Sequence, residues 1–177
     1  TIEAGLVISQ KWAERKRKIL IITPANLRKQ WTQELQDKFF LPSRILEAKS
    51  FNDTLKTGNL NPFNQSEIVL CSYQFAKSKT VYLKLVAWDL VVIDEAHRLR
   101  NVYKSSNKIA KVIKESLADA PKILLTATPL QNSLLELYGL VSIIDDHAFG
   151  DLKSFSSQYV RGNSNTDPKQ FLALKER

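Results

Sequence analysis

Four short apolar runs, Ile19–Ile22, Ile68–Cys71, Leu90–Ile93 and Ile123–Leu125, constrain the fold of this chain more than any other feature. None alternates polar with apolar residues, so each must be covered on both faces, as central parallel strands flanked by helices are. Helix signals lie between them. After Thr23 and Pro24, a start signal, Leu27, Trp31, Leu35 and Phe39 repeat every four residues as a core-facing stripe. Ile45 and Leu46 are expected to form a fifth, weaker strand, and Asn59–Gln65 a loop. Ser133 and Glu136 have capping-box spacing and open a helix whose Leu134, Leu137, Tyr138, Val141 and Ile144 face inward. Strands alternating with helices predict right-handed crossovers and an α/β sheet that binds ligands beyond the carboxyl ends of its strands.

Composition narrows the class. The chain has 177 residues, 44% of them hydrophobic and 25% charged, which suits one globular domain and excludes intrinsic disorder. No uncharged apolar run reaches the roughly 18 residues of a membrane helix, and no signal-peptide pattern opens the sequence, so a soluble, unexported protein is expected. Cys71, the single cysteine, is expected in the core, in a reducing compartment. The chain begins at Thr1 and has no methionine, so an excised piece is expected. The net charge is +8, and residues 98–122 carry seven basic and two acidic side chains. Such clustering suits a polyanion or an ordinary solvated surface. For Arg15–Lys18 a charged surface loop is expected. Between Ser105 and Leu117, Ile109, Val112, Ile113 and Leu117 share one helical face and Lys104, Lys108, Lys111 and Lys114 the other, either a phosphate-facing stripe or a solvated face. His147 reads as a surface residue, and Trp12, Trp31 and Trp88 as core.

The chemistry sits at strand ends. The run Val91–Ile93 leads into Asp94, Glu95, Ala96 and His97, two adjacent carboxylates where a phosphate-bound metal would lie. An acidic strand end followed by an exposed turn would look the same. Leu124 and Leu125 lead into Thr126, Ala127, Thr128, Pro129, Leu130, Gln131 and Asn132, a hydroxyl-rich segment leaving its strand at the same edge.

With both ends in view, VVIDEAHRLRN and ILLTATPLQNSLLELYGL resemble motifs II and III of superfamily-two helicase-like ATPases, specifically SWI/SNF-type translocases and their bacterial RapA-like relatives. IITPANLRKQW resembles motif Ia of that family, Ser72, Tyr73 and Gln74 sit where motif Ib would fall, and TIEAGL resembles the continuation of motif I, with Thr1 ending its phosphate loop. Phe149, Gly150, Asp151, Phe155 and Tyr159 resemble the start of the helical protrusion after motif III. The resemblance implies a three-layer RecA-like domain of P-loop NTPase type over residues 1–148, truncated at its phosphate loop, with 149–177 beginning the protrusion or a linker.

It also implies ATP and Mg²⁺ as cofactors, and a role for each site residue. Asp94 and Thr1 would hold Mg²⁺, Glu95 would position or activate the hydrolytic water, and His97 would link the nucleotide site to motif III. Thr126, Ala127 and Thr128 would relay nucleotide state, Thr126 and Thr128 serving alternatively as hydroxyl caps. Thr23, Pro24, Ser72, Tyr73, Arg98, Gln131 and Asn132 would lie near nucleic-acid phosphates. The implied partners are duplex DNA, RNA polymerase or another protein complex, and a second RecA-like lobe of the same chain. The chain alone, without phosphate-loop lysine and second lobe, is expected to be inactive toward ATP. Ala127 stands where many eukaryotic members have Gly, which tilts the comparison toward a bacterial, cytoplasmic protein. A strand-separating helicase or restriction-type motor, and a non-catalytic nucleic-acid-binding or interaction domain, are the alternatives.

Overall fold

A computed structural model describes residues 2–128 and 133–160. Five strands, β1 (Ile19–Ile22), β2 (Ser43–Ile45), β3 (Ile68–Cys71), β4 (Leu90–Asp94) and β5 (Lys122–Leu125), pair in the order β2-β3-β1-β4-β5, every pairing parallel. The helices are α1 (Ile2–Ala13), α2 (Arg28–Phe39), α3 (Ala48–Lys56), α4 (Tyr73–Ser78), α5 (Thr80–Lys84), α6 (Lys108–Ser116), α7 (Leu134–Ile144) and α8 (Leu152–Phe155). No described helix is long and apolar enough to cross a membrane.

The runs of β1, β3 and β4 are buried throughout because both of their faces are covered, whereas β5, expected to be covered alike, is an edge strand and only half-buried. In β1, Ile19 and Ile21 join Ile68, Leu70, Leu90 and Val92 in a core with Ala4, Ile8, Trp31 and Leu35 of α1 and α2. Leu20 and Ile22 point the other way, with Val69, Cys71, Val91 and Ile93, into a core that holds Ala76, Ala110, Ile113 and Leu140. That period of two, with helices on each side, gives three layers. Cys71 is fully buried, and desolvation pushes its thiol up to about 12, so it acts as a small apolar group.

Several local expectations shift. The Thr23–Pro24 start signal opens a 3-10 turn over Ala25–Leu27 before α2, and the second strand is Ser43–Ile45 rather than Ile45–Leu46. The helix expected from Ser105 begins at Lys108, where the Asn107 side chain accepts the Ala110 N–H at 3.1 Å. Arg15–Lys18 is more than a solvated loop. Asp89 Oδ2 accepts the backbone N–H groups of Arg17 and Lys18, both at 3.0 Å, and the Arg17 guanidinium lies 4.1 Å from the centre of the Trp12 ring. The cause is register: Ile19 pairs with Leu90, which brings Asp89 to the loop that precedes β1. Trp31 and Trp88 are buried as expected, while Trp12 is half-buried under Arg17.

Phe51 of α3 is fully buried and meets Phe63, Phe75 and Tyr82 edge to face, at centroid distances of 5.8, 5.6 and 5.0 Å. Beyond α7, Phe155 and Tyr159 are buried, and Phe155 lies 5.0 Å from the Tyr138 ring. This packs the 149–159 segment onto α7.

Candidate active site at the carboxyl edge of the sheet

Asp94 ends β4, between β1 and β5, and its carboxylate is held by three donors. Oδ2 accepts the Thr23 hydroxyl at 3.0 Å and the Trp31 indole N–H at 2.8 Å, while Oδ1 accepts the Glu95 N–H at 3.0 Å. The buried Tyr73 hydroxyl donates to the Asp94 carbonyl. Its pKa is raised, first by burial and then by the Asp94 charge, so it stays a donor.

Glu95 leaves the strand in the left-handed region, at φ 53° and ψ 45°. A non-glycine residue held there is under local strain of the kind that collects at functional sites. The turn swings the Glu95 carboxylate out of the sheet, where its side chain is 37% exposed. His97, in the 3-10 turn Ala96–Leu99, brings Nδ1 to 3.1 Å from Glu95 Oε2, although the pair is not aligned as a hydrogen bond.

Leu125 of β5 is the register partner of Asp94, so the turn that begins at Thr126 leaves the sheet beside the carboxylate pair. Thr126 Oγ1 accepts the Thr128 N–H at 3.1 Å, closing that turn, and Ala127 and Thr128 are exposed. The acidic turn is also tied to α7. Arg100 pairs with Glu136 at 3.3 Å, the Glu136 side chain being only 7% exposed. Gly139 lies so close that a side chain built on it would run into the Arg100 carbonyl. Ser133 caps α7 through the Leu135 N–H at 3.2 Å, while the Glu136 carboxylate reaches across to Arg100.

The residues that the resemblance assigns to nucleic-acid contact differ in exposure. Thr23, Pro24, Ser72 and Tyr73 are buried: Thr23 is bound to Asp94, Tyr73 to its carbonyl, and Ser72 caps α4 by accepting the Phe75 N–H at 3.2 Å. Their side chains therefore serve the interior, because the ends of the central strands β1 and β3 are themselves covered. The exposed groups at these turns are their neighbours Ala25, Asn26 and Gln74, together with Arg98. Thr1, Gln131 and Asn132, with Pro129 and Leu130, lie outside the described residues. The lysine stripe is split. Lys104 and Lys108 are exposed, whereas Lys114 pairs with Asp146 and, with Lys111, lines a cleft beside Tyr103 and Tyr138. His147 is exposed, as expected.

In the sequence Trp31 reads as core, because its place on an apolar stripe explains it. Its signal was available: a buried indole N–H needs an acceptor, and an apolar stripe supplies none.

The all-parallel three-layer sheet, with a carboxylate pair ending one strand and a hydroxyl turn ending its neighbour, matches a RecA-like lobe of the helicase-like superfamily. The pattern of the SNF2-related domain matches residues 2–176, and the chain belongs to that family. It is 33% identical over 176 residues to the uncharacterized ATP-dependent helicase YqhH of Bacillus subtilis (strain 168), covering 97% of this chain and 29% of that protein. It is 30% identical over 182 residues to the RNA polymerase-associated protein RapA of Serratia proteamaculans (strain 568), covering 100% of this chain and 19% of that one. The fold is similar to the Sulfolobus solfataricus SWI2/SNF2 ATPase core in complex with dsDNA, with a TM-score of 0.76 and 26% identity over 96% of this chain and 34% of that one. The chain thus spans less than a third of the length of these two curated relatives.

Proposed function

We propose that this chain is the first RecA-like lobe of an ATP-dependent DNA translocase of SWI/SNF type, which couples ATP hydrolysis to movement on duplex DNA. The observation that carries the reading is the pairing of Asp94 with Leu125, which sets the carboxylate pair and the hydroxyl turn side by side at one sheet edge. The likeness to a SWI2/SNF2 ATPase core in complex with dsDNA and to an ATP-dependent helicase supports it.

A magnesium ion in such sites is held by one or two carboxylates and by phosphate oxygens rather than by a protein cage. Asp94, with acceptor capacity left on Oδ1, fits that requirement, and the described residues contain no cluster of three or more candidate ligands. Asp94 would hold the ion, with the Thr1 hydroxyl as second protein ligand, and Mg²⁺ supplies charge neutralisation at the β- and γ-phosphates. Glu95, aimed out of the sheet, orients the attacking water and takes its proton as the water oxygen bonds to the γ-phosphorus and the bridging oxygen leaves with the β-phosphate. His97, 3.1 Å from Glu95, links the nucleotide site to motif III.

Thr126, Ala127 and Thr128 relay nucleotide state to the nucleic-acid surface. Thr23, Pro24, Ser72, Tyr73, Arg98, Gln131 and Asn132 lie near DNA phosphates, the buried ones through their turns with the exposed Ala25, Asn26 and Gln74 beside them, and phosphate contacts grip without reading sequence. Residues 149–177 begin the helical protrusion or a linker, and a second lobe of the same protein closes over the site. RapA relatives, named as RNA polymerase-associated, favour a polymerase or a comparable complex as partner in the bacterial cytoplasm.

In the full-length protein, phosphate release is expected to rise on adding duplex DNA. No release with or without DNA would favour a non-catalytic binding domain, and displacement of a labelled strand would favour a strand-separating helicase. The lysines give a second test. If Lys104 and Lys108 face phosphates, the Lys104→Ala, Lys108→Ala double variant should flatten the slope of log affinity against log salt by about 1.8, alike for all sequences. An unchanged slope would assign them to solvent.

A further inference from the structure

Asp94 Oδ2 is the meeting point of two donors from another part of the chain. The Thr23 hydroxyl, fully buried at the end of β1, and the indole N–H of Trp31, 2% exposed in α2, both point at that one oxygen, at 3.0 and 2.8 Å. A carboxylate oxygen offers about two lone-pair sites, so Oδ2 is filled. Oδ1 spends one site on the Glu95 N–H and keeps the other. Bonds to a charged acceptor are short and directional, and both donors are buried. The segment between the two donors runs out to the exposed Ala25 and Asn26 and returns, so it begins and ends on the same oxygen.

We propose that Thr23 and Trp31 are positioning residues that lock the Asp94 carboxylate through Oδ2 and leave Oδ1 as the carboxylate oxygen that faces Mg²⁺ and its waters. This rests on the reading of Asp94 as a metal-holding carboxylate. Losing either donor frees the carboxylate to rotate, so the metal meets it in the right orientation for less of the time.

The test is the Mg²⁺ dependence of fluorescent ATP-analogue binding by the full-length protein, a readout independent of turnover. Trp31→Phe keeps the ring and loses the N–H, Thr23→Val keeps the shape and loses the hydroxyl, and Thr23→Ser keeps the hydroxyl. Trp31→Phe and Thr23→Val should each raise the Mg²⁺ concentration for half-maximal effect roughly tenfold, with Thr23→Ser near wild type. A packing role would instead leave the metal dependence of every folded variant unchanged. If Trp31→Phe does not fold, the contrast between Thr23→Val and Thr23→Ser decides alone. Wild-type Mg²⁺ dependence in Thr23→Val, with that of Asp94→Asn lost, would overturn the positioning role and leave the functional reading standing. Wild-type dependence in Asp94→Asn would overturn both.

Discussion

Glu95→Gln, in the protein that carries this chain, is expected to cut ATP hydrolysis by roughly 10² or more while nucleotide binding stays near wild type, the usual scale for losing a positioned general base. Gln has the same shape, so the left-handed backbone at φ 53° and the approach of His97 persist. What it loses is the ability to take a proton from the attacking water. Steady-state phosphate release alongside nucleotide binding separates the two effects. Hydrolysis at the wild-type rate would remove Glu95 from its role, and a parallel loss of binding would mean that the carboxylate holds nucleotide rather than water.

Arg100→Ala is expected to destabilise the protein by about 2 kcal/mol, less than the loss of a fully buried ion pair, because this pair is part-buried. The Glu136 side chain is only 7% exposed and would lose the guanidinium 3.3 Å away. The approach of Gly139 to the Arg100 carbonyl keeps α7 from moving in to fill the gap. Urea unfolding should show a lower midpoint at unchanged slope. Replacing both partners at once, Arg100→Met with Glu136→Leu, should recover most of the loss, since it leaves no buried charge behind. A double variant as unstable as Arg100→Ala would mean that packing, not charge, holds α7 to the acidic turn.

The legible parts of the fold share one property: their signal repeats along the chain. Continuous apolar runs announced β1, β3, β4 and β5, and a four-residue repeat announced α2, because burial on one face or two must recur at the period of the element. The acidic strand end and the hydroxyl turn were legible for the same reason, each following directly on such a run.

Burial at the strand ends could not be read. The resemblance sets Thr23, Pro24, Ser72 and Tyr73 at the strand ends, but that their side chains are buried and that Ala25, Asn26 and Gln74 beside them are exposed is visible only in the structure. The lysine face divides for a similar reason: a helical wheel places Lys104, Lys108, Lys111 and Lys114 together, but only packing against α7 decides that Lys114 meets Asp146.

By itself, then, the sequence determined a parallel α/β sheet, its central strands, and a carboxylate pair and a hydroxyl turn at strand ends. The tertiary structure alone decided which groups touch. Thr23 and Trp31 lie 71 and 63 residues from the carboxylate they hold, and Glu136 lies 36 from Arg100. Pairings over such distances are set by which strands are neighbours and in what register, and no local period encodes that.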